Sequence, residues 1–229
     1  MSRDETEAPA RRRLSRELVV AAALAIVDRE GLEGLTMRAL GRELGVDPMA
    51  VYHWVPSKDE LLSLIVEAVY REIPLDPTLL PAGTWHDRFG YAARVYRETL
   101  RRHPHALPVL ATRPPSAASI AALKPSEFAM SILREAGFSP ATAMQAVTAM
   151  SNLVTGLVLA EVGLPPGVET DVSEEQRAAL LEHMTPDEFP NILEALAAYE
   201  FDWDRQFEFG MDALMRGMEP LRRKGRSRA

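Results

Sequence analysis

Along nearly the whole chain, apolar positions recur at steps of three and four, the period of a helix, and no stretch alternates as a strand would. Val19, Ala22, Ala23, Ile26 and Val27 make one apolar face of a first segment, capped by Ser15 and stopped at Gly31. A second helix follows Thr36, whose hydroxyl can accept from a free backbone N–H of the first turn, and carries Met37, Leu40 and Leu44 to Gly45. After the turn Gly45-Val46-Asp47, Pro48 opens a third helix where its fixed φ is already suitable. That helix is short, because Pro56 pushes Val55 out of helical backbone. Ser57 and Glu60 form a capping box for a fourth helix with the stripe Leu61, Leu64, Ile65, Ala68 and Val69.

Pro74, Pro77, Pro81 and Gly83 mark a connector, and Thr84 opens a helix through Trp85, Phe89, Val95 and Leu100. Prolines 104, 108, 114, 115 and 125 break the next stretch into short pieces. Residues 126–136 are helical up to Gly137, and Ser139-Pro140 begins a long uncharged helix to about Val162. A loop with Pro165, Pro166 and Gly167 follows, then acidic helices after Ser173 and Pro186, then a last helix near 202–218. The pattern predicts an all-α protein, a three-helix helix-turn-helix unit joined to a larger helical domain. Its expected divisions are a flexible basic arm (1–14), a DNA-binding domain (15–60), a ligand-binding and dimerisation domain (61–220) and a flexible basic tail (221–229).

At 229 residues the chain can bury a large core without staples. It has no cysteine, which excludes disulfides, thiolate nucleophiles and Cys-held metals. The net charge of −7 excludes a general cationic coat for nucleic acid, so a DNA-binding surface must be local. Residues 11–58 hold eight Lys/Arg against six Asp/Glu, a balance of +2, and the rest therefore sums to −9 (−7 minus +2). Residues 18–27 are too short to cross a membrane; residues 136–160 are long enough, but Gln145, Asn152 and Pro140 make them a buried helix instead. The N-terminus has acids ahead of its arginines and no small-residue cleavage site, so a cytoplasmic protein with no membrane is expected.

Residues 36–54 have the grammar of a helix-turn-helix, whose second helix enters the major groove with its first residues on base edges. The outward positions Pro48, Met49, Ala50, Tyr52 and His53 offer methyl groups, a phenol and an imidazole to thymine methyls and phosphates. Arg38 can bridge guanine O6 and N7, and Lys58 stands where a phosphate would also meet free N–H groups of the fourth helix. Trp54 suits core packing equally well. Arg11, Arg12, Arg13 and Arg16 suit phosphates, a minor groove or a solvated tail.

The segment GLEGLTMRALGRELGVDPMAVYHWVPSKDELL resembles the DNA-binding domain of TetR-family transcriptional regulators, in its helix order, its Tyr52-aromatic pair, Lys58 and the following Leu-Leu. Trp85, the Thr112-Arg113-Pro114 run and GFSPATAMQAVTAMSNLVTGLVL look like the C-terminal half of the tetracycline-repressor branch. The resemblance implies a homodimeric repressor that binds a palindromic double-stranded DNA operator and is released by a small-molecule effector. It carries DNA contacts onto Thr36, Arg38, Pro48, Met49, Ala50, Tyr52, His53 and Lys58; Met49 and Ala50 differ from the tetracycline repressor, so its operator is not implied. That branch holds magnesium-tetracycline with a His before its Thr-Arg-Pro run and a Glu on the long helix. Here Val109 and Ala160 stand at those positions, with Glu161 rotated by about 100°. Ala92 replaces an Asn, Tyr96 a Phe and Asn152 a His. The expected effector is small and largely apolar, with no metal and no cofactor.

On the long helix, Gln145, Thr148, Asn152 and Thr155 share one face, a neutral polar stripe that suits a pocket wall or hydrogen bonding between helices. The ligand candidates are Trp85, Tyr96, His105, Arg113, Met144, Thr148, Asn152 and Thr155, with Met150 beside them. Arg113 also suits capping or pairing with an acid, and His103-Pro104-His105 lacks the third ligand of a metal site. Phe207, Gly210, Met211, Leu214, Met215 and Met218 line one face of the last helix, fit for an isologous four-helix interface or for packing within one subunit. The alternatives are a helical dimer that only sequesters a small molecule and an enzyme using His105 with Arg113 or Glu161. No carboxylate pair, nucleophile–base motif or phosphate-cradling loop supports catalysis, so no enzyme is expected.

Overall fold

The computed structural model describes residues 14–113, 117–162, 179 and 181–225, and every regular element among them is helical. Four helices form the N-terminal part: α1 (Arg16–Gly34), α2 (Met37–Leu44), α3 (Pro48–Tyr52) and α4 (Lys58–Arg71). Ser15, Thr36 and Ser57 each cap the helix that follows, accepting from the backbone N–H of Leu18, Ala39 and Glu60. Gly31 interrupts α1 with φ +74, a left-handed conformation that breaks the helical run where the sequence places its stop. Val19, Ala23, Ile26, Leu35, Leu40, Val51 and Leu61 are fully buried and hold these helices together.

The α2–α3 corner depends on two glycines. Gly45 ends α2 with φ +66. Gly41 lies so close to the next element that a Cβ there would stand 2.9 Å from the Val46 carbonyl oxygen and 3.2 Å from the Pro48 nitrogen. Both neighbours are backbone and cannot swing away.

The larger part contains α5 (Trp85–Arg102), α6 (Leu107–Thr112), α7 (Lys124–Glu135), α8 (Pro140–Val162), α9 (Pro190–Ala198) and α10 (Trp203–Gly225). Thr84 and Asp87 close a capping box at the start of α5, and bonding to Thr84 holds the Asp87 carboxyl below its usual range. The α8 helix is the centre, packed against α5, α7 and α10. It is long and apolar enough to cross a membrane by length and composition, but Val147, Val154 and Val158 are buried here among other helices.

Two expectations change, and others fall on residues that are not described. The loop at 163–170 and the helix after Ser173 lie outside the described residues. No helix starts at Pro186; α9 begins at Pro190, after a turn in which the Phe189 N–H bonds to the Thr185 carbonyl. The last helix runs on to Gly225, into the stretch read as a flexible tail, because Met218 is buried and Glu219 is held by Arg222 and by the Trp85 indole.

One buried charge joins three helices. Arg97 of α5 donates bidentately to Glu161 at the end of α8, donates to Asp204 of α10 at 2.6 Å, and lies 5.0 Å over the Phe207 ring. Arg101 reaches the same Glu161 at 3.2 Å. The Arg97 and Glu161 side chains are almost wholly buried, so each needs the other.

Two substitutions test this packing. Gly41→Ala should cost about 2 kcal/mol, the usual scale of overpacking, seen as a lower denaturant midpoint at unchanged slope. Arg97→Ala leaves Glu161 short of its main partner and should cost about 3 kcal/mol. Adding Glu161→Gln to that variant should restore part of the loss in the same titration.

Candidate DNA-reading surface and effector cavity

The α3 helix divides its side chains between two environments. Val51 and, just beyond it, Val55 are fully buried and anchor the helix to the core. Met49 is 72% exposed, Tyr52 and His53 are exposed, and Pro48 and Ala50 are half-buried. Asp47 caps α3 by accepting from the Met49 N–H at 2.8 Å, which fixes how these side chains leave the surface. Thr36, Arg38 and Lys58 are also exposed, at the starts of α2 and α4. Trp54 is half-buried, edge-on to His53 with ring centroids 5.6 Å apart.

A cavity of about 210 Å³ opens between α4, α5, α7 and α8. Tyr70 and Ile73 come from α4 and the residues just after it, Ala92 and Tyr96 from α5, Phe128 and Ala129 from α7, and Val147 and Met150 from α8. Met144, Thr148 and Asn152 also line it; they are exposed, so Thr148 and Asn152 of the neutral polar stripe stand at its mouth. The Tyr70 and Tyr96 rings lie 6.2 Å apart. Burial, followed by the neighbouring Tyr96 phenol, pushes the Tyr70 hydroxyl well above its usual range, so it stays protonated and able to donate. The Tyr96 hydroxyl is 3.0 Å from Thr155, which stands one step behind the wall.

The remaining ligand candidates are placed elsewhere. Trp85 packs edge-on against Phe138 and donates to Glu219 at 3.1 Å, at the far end of α5. His105 donates from Nδ1 to the Asp28 carbonyl at 2.9 Å. Arg113 pairs with Asp59 at 2.7 Å, which holds that carboxyl below its usual range. Both are ties between the helical halves, formed because residues 104–106 lie beside α1 and α6 lies beside α4. Glu161 is taken up by Arg97 and Arg101. Among the described residues no cluster of three or more His, Asp or Glu side chains could hold a metal ion.

The wall residues Tyr70, Ile73 and Phe128 are not marked by sequence reasoning, because each looks like ordinary core on its own helix. The α10 stripe divides as well. Phe207, Met211 and Met218 are buried inside the subunit, and a Cβ on Gly210 would stand 3.1 Å from Leu153 of α8. The outward face of α10 instead carries Phe209, 72% exposed, with Ala213 and Gly217.

Both halves match a known family. Residues 19–65 match the description Bacterial regulatory proteins, tetR family, and residues 76–222 match Tetracyclin repressor-like, C-terminal domain. An HTH-type transcriptional regulator of Saccharopolyspora erythraea is 32% identical over 218 residues, covering 94% of this chain and 89% of the relative. Tetracycline repressor protein class D of Escherichia coli is 32% identical over 214 residues, 90% of each chain. The crystal structure of apo ActR from Streptomyces coelicolor is similar with a TM-score of 0.78 at 25% identity, over 92% of this chain and 97% of ActR. Its complex with actinorhodin gives 0.77 at 26% identity, over 90% and 95%. With both halves matched, and in order, the chain belongs to the TetR family of bacterial transcriptional regulators.

Proposed function

We propose that this chain is a ligand-responsive transcriptional repressor, a cytoplasmic homodimer on a palindromic operator that a small, largely apolar effector releases. The observation that carries the reading is that α4 serves two surfaces. Its first residue is the exposed Lys58 beside the reading helix, and its last turn presents Tyr70 to the cavity. A helix of that length is stiff over about 20 Å, so an occupant that moves Tyr70 also moves Lys58 and α3. The tetracycline repressor relative and the ActR–actinorhodin complex support the same division of labour.

The reading assigns DNA contact to Thr36, Arg38, Pro48, Met49, Ala50, Tyr52, His53 and Lys58. The effector contacts become Tyr96, Met144, Thr148 and Asn152, joined by Tyr70, Ile73 and Phe128, with Thr155 positioning Tyr96. Trp85, His105 and Arg113 take structural roles. Dimerisation is assigned to the uncharged outward face of α8, where Gln145, Ala149, Gly156 and Ala160 are exposed, together with Phe209 and Ala213 of α10. No catalytic role is assigned to any residue.

Purified protein should retard a fragment of its own upstream DNA, with affinity falling steeply as salt rises. Arg38→Ala should weaken that binding by about tenfold or more. Failure to retard any upstream fragment in a sequence-selective, salt-sensitive way would remove the reading. For any compound that dissociates the complex, Asn152→Ala should raise the required concentration by about tenfold, the scale of one lost hydrogen bond, while operator binding without compound stays as it was.

A further inference from the structure

His103 is 7% exposed, at the turn between α5 and α6. Its Nδ1 lies 3.0 Å from an Asp28 carboxylate oxygen on α1, and its Nε2 lies 3.1 Å from a carboxylate oxygen of Glu72, the residue that ends α4. Ionised carboxylates only accept, so this arrangement is satisfied when both ring nitrogens carry hydrogen. The other polar groups at the joint are accounted for. Arg102 of α5 reaches Glu72 at 3.0 Å and also donates to Thr99. His105 donates to the Asp28 main-chain oxygen, a bond that needs only its Nδ1–H.

We propose that His103 is a positioning residue whose doubly hydrogen-bonded ring clamps the DNA-reading half to the effector half and makes operator binding sensitive to pH. This rests on the DNA-binding reading above. With a charged ring, His103 and Arg102 balance Asp28 and Glu72. A neutral ring leaves one cation against two anions and turns a lone pair towards a carboxylate. The joint then loosens as pH rises and the ring gives up its proton. Two reading helices must meet grooves about 34–36 Å apart, so a loose joint must be ordered at the moment of binding and weakens the complex.

The test measures affinity of the full-length protein for the retarded fragment between about pH 6 and about pH 8.5, a window in which histidine is the side chain suited to change charge. Wild type should lose about tenfold more affinity across this interval than Glu72→Gln, the scale of one charge-assisted hydrogen bond. In Glu72→Gln a neutral ring can donate to Asp28 and accept from the new amide, so the joint stays satisfied. His103→Gln should bind weakly at both ends with a profile as flat as that of Glu72→Gln. His53 on the reading face is common to all three proteins, so differences between their profiles belong to His103. Three parallel profiles would overturn the proposal. A second readout needs no DNA: amide exchange in residues 28–35 and 69–73, compared at one pH below neutrality, should quicken in His103→Gln relative to the α8 interior. Unchanged protection there would overturn the clamp. If wild type retains no fragment, the DNA-binding reading fails and the exchange result alone decides the clamp.

Discussion

The α4 helix reaches both ends of this molecule, with Lys58 beside the reading helix and Tyr70 at the cavity. The helix is short, uninterrupted and capped at its start by Ser57, and its own backbone bonds forbid a bend in the middle. Leu61, Ile65 and Val69 bury one stripe of it against α1, while Tyr70 and Ile73 face the cavity. The burial is non-directional and would allow α4 to slide or tilt. What specifies its orientation is a set of polar ties at its two ends, Arg16–Glu60 and Arg113–Asp59 at the start, His103–Glu72 and Arg102–Glu72 at the finish.

Those ties differ in kind from the Arg97 cluster. Arg97 and Glu161 are buried together, and separating them strands a charge in a dry interior, so α5, α8 and α10 behave as one block. Asp59 is 78% exposed, so the Arg113 tie to the reading half is solvated and costs little to break, whereas the His103 ring between Asp28 and Glu72 is nearly buried and its tie is the firmer one. The molecule thus has a stiff effector block and a reading unit fastened to it by exchangeable contacts. Two orientations of the reading unit then differ by only a few such contacts.

The helix order was legible because its signals are local. Ser15, Thr36, Asp47 before Pro48, Ser57 and Thr84 each meet the bond that their position predicts, and Gly31 and Gly45 take up the left-handed backbone that stops a helix. The cavity was legible along α8, where Met144, Thr148 and Asn152 share a face at fixed spacing, and at Tyr96 of α5. Its other walls come from helices that meet through tertiary packing, and nothing local distinguishes Tyr70 from a core tyrosine. Trp85, His105 and Arg113 carry suitable chemistry, but their chemistry is spent on Glu219, Asp28 and Asp59. Arg97 had no signal at all, since an arginine on an amphipathic helix reads as solvated until its partners from two other helices are known. The stripe on α10 showed correctly that a face is buried, but periodicity cannot say whether the same subunit or another copy covers it.

Release on the proposed mechanism is a question of differential contact. An effector that touched only α8 and α5 would bind the stiff block equally in both orientations of the reading unit and shift nothing, however tightly it bound. Because Tyr70 and Ile73 line the cavity, an occupant cannot fill it without contacting α4 or its immediate continuation, and its affinity must differ between the two orientations. The neutral phenol of Tyr70 makes that contact directional as well as steric, since a donor there favours a ligand oxygen at one distance from α4. The weak ties at the ends of α4 set the threshold: their combined worth is the difference that an effector must exceed before the reading helices leave their spacing. A stronger set of ties would make a tighter repressor that fewer ligands could release, and the pair with both charges buried, Arg97 with Glu161, stands away from this joint.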